Sequence, residues 1–108
     1  MGKRLEIAKK FAKAIKSDNI GQIILFGSVA RGEDKEYSDI DILIVSSKPE
    51  DIEPVLEKEV GNILIEENEL VSAHVISEEN FKNRKNYSFL SNVLEEGVKL
   101  EWSSRILR

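Results

Sequence analysis

The amino-acid sequence predicts a small α+β (mixed α/β) domain: a three- or four-stranded sheet flanked by helices. Short apolar, β-branched runs of strand length occupy 22–26, 39–45 and 70–76. Stretches with apolar residues at helical spacing alternate with them. The 108 residues are the size of one folding unit, so 1–108 reads as a single domain.

Residues 3–17 read as an amphipathic helix. Leu5, Ala8, Phe11, Ala12 and Ile15 fall on one side, and the lysines mostly on the other, as a solvated face. Ser17-Asp18-Asn19 breaks that pattern, and Gly21 supports a turn. The run 22–26 is short and apolar enough for a buried strand. A glycine-containing, charged segment fills 27–37, and 39–45 is a second strand. Ser47 and Glu50 have capping-box spacing, with Pro49 suited to a first helical turn. Ile52, Val55, Leu56, Val60, Ile63 and Leu64 then form a helical stripe, which ends at Glu66-Glu67-Asn68-Glu69. The third strand is 70–76. Ser77 to Asn80 opens another helix, with Phe81 its first apolar anchor. Phe89, Leu90, Val93 and Leu94 mark the last helix, Gly97 is its C′ residue, and 98–102 is a short final strand. Phe89 and Trp102 read as core rather than as a base-stacking platform. The tail Arg105-Ile106-Leu107-Arg108 receives no assignment.

Composition excludes several classes. Cysteine is absent, so disulfides and thiolate zinc sites are ruled out. The apolar runs are too short to span a bilayer. The first residues have no uninterrupted apolar core, which argues against a signal peptide and fits the cytoplasm. A formal charge of -4 argues against nucleic-acid binding through bulk positive charge.

The chemistry concentrates in Gly27-Ser28-Val29-Ala30-Arg31-Gly32, followed by Ser38-Asp39-Ile40-Asp41. Glycine after a strand lets the backbone turn tightly and approach a ligand without a Cβ. A short helix opening there would aim free N–H groups at an anion such as phosphate. Ser28 adds a hydroxyl, and Arg31 a planar cationic fork. Arg31 reads equally well as the partner of a carboxylate such as Asp39. Asp39 and Asp41, at i and i+2 on a strand, share a face at roughly 6–7 Å of rise. Such a pair can hold magnesium, which takes hard oxygen ligands and shares them with substrate phosphate. Ile40 between them points to the buried side, and Ser38 caps the turn.

This pattern resembles the signature of the DNA polymerase β-like nucleotidyltransferase superfamily, most of all its minimal nucleotidyltransferase group. The signature covers about 20 residues, and the rest agrees in element order and length. The resemblance implies transfer of a nucleoside monophosphate, AMP for preference, from ATP or another NTP to a hydroxyl, with release of pyrophosphate. It implies that Gly27 and Ser28 hold the triphosphate tail and that Asp39 and Asp41 hold two Mg2+ ions. It also implies a helical HEPN-type partner, with this chain as the antitoxin of a toxin–antitoxin pair.

The sequence departs from the family on the third strand, where a further carboxylate is expected. Residues 70–76 contain neither Asp nor Glu. The slot falls near Ser72 or His74, with Glu69 at the strand edge. His74 reads either as a satisfied strand histidine or as a substitute base. A second class of function therefore stands beside transfer: a non-catalytic module that binds nucleotide or a partner. A small-molecule modifier of the aminoglycoside type is a third, though such enzymes add a helical acceptor domain. Homo-oligomerisation through the last helices stays open.

Overall fold

A computed structural model describes residues 2–84 and 86–102, with the side chain of Trp102 outside the description. The tail Arg105-Ile106-Leu107-Arg108 and the core role expected for the Trp102 side chain therefore lie outside the described residues. The element order is α1 (Gly2–Ile15), β1 (Ile20–Phe26), α2 (Gly27–Arg31), β2 (Ile40–Ser46), α3 (Pro49–Glu67), β3 (Val71–Ser77), α4 (Glu78–Arg84), α5 (Ser88–Glu96) and β4 (Val98–Trp102). The four strands form one mixed sheet in the order β3-β2-β1-β4. β1 runs antiparallel to both β2 and β4, while β2 and β3 are parallel and joined through α3.

β1 and β2 lie at the centre and are covered on both faces, which is why they read as continuous apolar runs. Ile23, Leu25, Ile40, Ile42 and Ile44 face α1 and α3, where they pack with Phe11, Ile15, Ile52 and Leu56. Ile24, Leu43 and Val45 face the other way and pack with Phe81 of α4 and with Leu90 and Val93 of α5. The α1–α3 face holds the larger cluster.

Local expectations were met or overturned for identifiable reasons. Pro49 starts α3 as expected, but the capping box does not form. Lys48 takes the N-cap position without a side-chain hydrogen bond, and the Ser47 hydroxyl instead donates to Asn19 O at 3.4 Å. Gly21 does not end in a turn. It sits inside β1, where the register shifts between Ile20 and Gln22, a usual place for glycine in a strand. The helix opened at Ser77 and the last helix are separate elements, and Tyr87, with φ -77° and ψ 151°, is extended just ahead of α5. Gly97 ends α5, but with φ -75° it needs no left-handed conformation. Its role is space: a Cβ there would stand 2.5 Å from both Ile24 Cγ2 and Val93 O. Ser77 caps α4, its Oγ accepting from Asn80 N at 3.1 Å.

Candidate active site

β1 ends at Phe26, which pairs with Asp41 across the antiparallel ladder. The chain then turns at Gly27 with φ +76°, a left-handed conformation that side chains other than hydrogen disfavour. A Cβ at Gly27 would also collide with the Asp41 carboxylate. Glycine is thus required twice, and the turn and the aspartate are pressed together although 14 positions separate them. The five-residue α2 opens at Gly27, carries Ser28 and Arg31, and closes at Gly32 with φ 72°. Glu33 N donates back to Ser28 O at 2.9 Å.

The loop from 33 to 39 returns the chain to β2. Ser38 closes it reciprocally: Lys35 N donates to Ser38 Oγ at 2.8 Å and Ser38 N donates to Lys35 O at 3.0 Å. Arg4 of α1 braces the same loop. It donates to Asp34 Oδ2 at 2.8 Å, to Lys35 O at 2.6 Å and to Glu36 O at 2.9 Å, while its Nε binds the Glu69 carboxylate at 3.1 and 3.2 Å. Sequence reasoning missed this hub, because Arg4 belongs to no local motif and its partners lie 30 to 65 positions away. The pairing also removes Glu69 as a stand-in for the third carboxylate.

Asp39 is exposed just ahead of β2, one position outside the strand expected at 39–45. Ile40 is fully buried on the opposite side, and Asp41 is partly buried. Burial pushes the Asp41 carboxyl up from its ordinary range. The charge of Asp39 adds to this, and His74 and Arg31 oppose it. Arg31 donates to Glu33 at 2.8 Å and lies 3.8 Å from Glu96, so its ion pairs are with these rather than with Asp39.

Parallel pairing of β2 with β3 puts Ser72 beside Asp41 and His74 beside Leu43. The Ser72 hydroxyl and His74 Nε2 lie 3.2 Å apart, and the same Nε2 is 3.9 Å from Asp41 Oδ1. An imidazole therefore stands beside Asp41. Among the described residues, no three His, Asp or Glu side chains converge as a metal cage. The Phe26 ring packs against His74 at 5.4 Å and edge-on to Phe89 at 5.6 Å. Phe89, expected in the core, is 53% exposed at the rim of this site. Of the other stripe residues, Leu90 and Val93 are buried and Leu94 is half-buried, so the apolar spacing of α5 did not mark Phe89 as its outer member.

Two carboxylates with hard oxygen donors, one partly desolvated and repelled by the other, suit a divalent cation. Nucleotidyltransferases of this fold generally use divalent metals. No helix among the described residues is long and apolar enough to cross a membrane.

Comparison with known proteins agrees with this geometry. The sequence profile of the nucleotidyltransferase domain family matches residues 8–105. A "putative protein adenylyltransferase" of Methanocaldococcus jannaschii is 46% identical over 92 residues, covering 82% of this chain and 89% of the relative. A chain from the crystal structure of a toxin–antitoxin complex with AMP-PNP superposes with TM-score 0.61 at 18% identity, covering 93% of this chain and 74% of that one. The structure of a tri-AMPylated Shewanella oneidensis HEPN toxin with an MNT antitoxin superposes with TM-score 0.56 at 16% identity, over 95% of this chain and 76% of that one. At such identities the superpositions speak for the fold alone. With the family profile spanning most of the chain and a relative of nearly the same length, the protein belongs to the nucleotidyltransferase domain family and is a nucleotidyltransferase.

Proposed function

We propose that this nucleotidyltransferase moves AMP from ATP to a hydroxyl group of a partner protein, and that the partner is a HEPN-type toxin for which this chain is the antitoxin. The observation that carries the catalytic part is the contact between Gly27 and Asp41, which joins the phosphate-turn candidate to the metal-ligand candidate in one site. Protein as the acceptor, and AMP as the group moved, are supported by the name of the Methanocaldococcus jannaschii relative. The HEPN partner is supported by the complex from Shewanella oneidensis.

In this reading the Ser28 hydroxyl and the backbone around Gly27 hold the β- and γ-phosphates, with Arg31 contributing charge from the end of α2. Asp39 and Asp41 hold magnesium, two ions in the full complex, and these supply Lewis-acid stabilisation of the charge on the α-phosphate. The remaining work is positioning. The acceptor oxygen forms a bond to the α-phosphorus. The bond from that phosphorus to the bridging oxygen breaks, and pyrophosphate leaves with the electron pair. The acceptor proton passes to His74 or to solvent, since β3 offers no carboxylate to receive it and the His74 imidazole lies 3.9 Å from Asp41.

The test uses α-labelled ATP and magnesium with and without the HEPN-type protein, for the wild type and for Asp39→Asn/Asp41→Asn. Label should appear on the partner and fall by more than about a hundredfold in the variant, beyond the effect of outer-shell changes at metal sites. Magnesium-dependent ATP binding without label on any protein would make the chain a binding module instead.

A further inference from the structure

The lysine face of α1 borders a cleft of about 660 Å³ that separates this helix from β4. Lys9, Lys13 and Lys16 run along it at i, i+4 and i+7, joined by Lys10 of the same helix and Lys99 of β4. Ala12, Val98 and Leu100 add an apolar floor. Glu6 lies 3.8 Å from Lys9, and Glu101 lies 3.3 Å from Lys16. Lys10 and Lys13 have no carboxylate within ion-pair distance among the described residues. A chain with a formal charge of -4 thus gathers positive charge along one edge. The cleft lies on the sheet face that α1 covers. Asp41 and His74 open on the opposite face, so a molecule held in the cleft does not compete with nucleotide.

We propose that this cleft docks an acidic amphipathic helix of the partner protein, with its carboxylates on the lysine stripe and its apolar side on Val98 and Leu100. This rests on the partner reading above and assigns the place where the partner is held. Charge complementarity selects an acidic occupant. The stripe rises about 10 Å from Lys9 to Lys16, so a helix lying beside α1 meets it with carboxylates at the same i, i+4, i+7 spacing. An added strand fits less well. β4 ends the sheet, but its register slips at Leu100, with Ile23 paired to Glu101 and Ile24 to Lys99. Such a bulge blunts an edge against further pairing. RNA also fits less well, because neither an arginine nor an aromatic ring is among the lining residues, and bases find nothing to stack on. A second copy could offer its own acidic α3. That helix packs on the β2–β3 side of the sheet and the cleft lies on the β1–β4 side, so the contact would run head to tail and would not close as a dimer.

The affinity of the full chain for the HEPN-type protein, measured by calorimetry at low and high salt, tests this. The variants are Lys9→Glu/Lys13→Glu and a control with the same change in net charge on other faces, Lys58→Glu/Lys82→Glu, all four positions being exposed. Lys9→Glu/Lys13→Glu should bind the partner about tenfold more weakly at low salt, with the gap narrowing at high salt. Its affinity for Mg-ATP should match the wild type, and the control should bind the partner as the wild type does. Equal loss in both variants would reduce the effect to net charge and overturn the proposal. Unchanged partner affinity in Lys9→Glu/Lys13→Glu would also overturn it. If that variant instead lost single-stranded RNA binding or self-association shown by the wild type, the cleft would belong to nucleic acid or to a second copy. Wild-type protein that does not bind the HEPN-type protein at all would refute the partner reading itself, and this assignment with it.

Discussion

The two faces of the sheet are built from the same strands, residue by residue in alternation, and do opposite jobs. The face toward α1 and α3 is closed: Ile23, Leu25, Ile40, Ile42 and Ile44 are all completely or almost completely buried. The face toward α4 and α5 is closed only at one end, by Phe81, Leu90 and Val93. At its other end stand Phe26, Asp41, Ser72 and His74, partly or largely open to solvent. Period-two alternation lets one strand serve both purposes, so β2 anchors the fold through Ile40 and Ile42 while it presents Asp41. A partly desolvated carboxylate is tolerable on one face because the other supplies most of the hydrophobic stabilisation.

Truncating the closed face should have the largest effect on stability. Ile42→Ala is expected to cost about 2–5 kcal/mol, because the side chain is fully buried and its removal leaves a cavity that neighbours fill only in part. Urea unfolding followed by circular dichroism measures it, and Phe89→Ala on the open face should cost far less. A loss at Phe89 equal to that at Ile42 would contradict the division of labour.

Arg4 ties α1, on the closed face, to the 33–39 loop that leads into β2, and removing it should have an intermediate effect. Arg4→Met is expected to cost about 1–3 kcal/mol, as charge-assisted bonds to the 34–36 loop and Glu69 are lost together. Arg4→Lys should not restore it, because an ammonium cannot span these acceptors. Amide exchange in the 33–39 loop should accelerate in both variants. Protection unchanged there would show that the loop is held by Ser38 alone.

The smallest effect has the opposite sign. Asp41 has a raised carboxyl pKa in the fold, chiefly through burial. Its protonated form is therefore favoured by folding. The stability linked to that proton is fully present below the unfolded carboxylate range and is lost as pH rises through the folded pKa. At neutral pH Asp41→Asn should raise stability, by less than about 1 kcal/mol after solvent screening. The gain should vanish in acid, and magnesium should stabilise the wild type but not the variant. Thermal melts at two pH values, with and without magnesium, read all of this, and a destabilised variant at neutral pH would count against the strained-carboxylate picture.

The path from residues to site was uneven for physical reasons. Gly27, Ser28, Arg31, Asp39 and Asp41 could be proposed as a site from the sequence because a turn glycine and an i, i+2 carboxylate pair are local patterns. The third strand was legible as a strand, and its missing carboxylate was visible at once. That Ser72 or His74 fills the slot beside the aspartates was named only through the family resemblance; the approach of His74 to Asp41 depends on β2 and β3 pairing in parallel across a 19-residue helix, which no local pattern shows. Gly97 was legible as a helix end, but for the wrong reason: its need is for space against Ile24, a contact invisible locally.

By itself, then, the sequence determined most of the elements, the apolar faces and the two halves of the candidate motif, since these follow from periodicity and from backbone and side-chain chemistry within a few residues. Tertiary structure alone decided the strand order, the Arg4 brace, the Ser72–His74–Asp41 group and the exposure of Phe89. Each of these depends on which distant segments meet, and the free energy of meeting is set by the packing of the whole sheet.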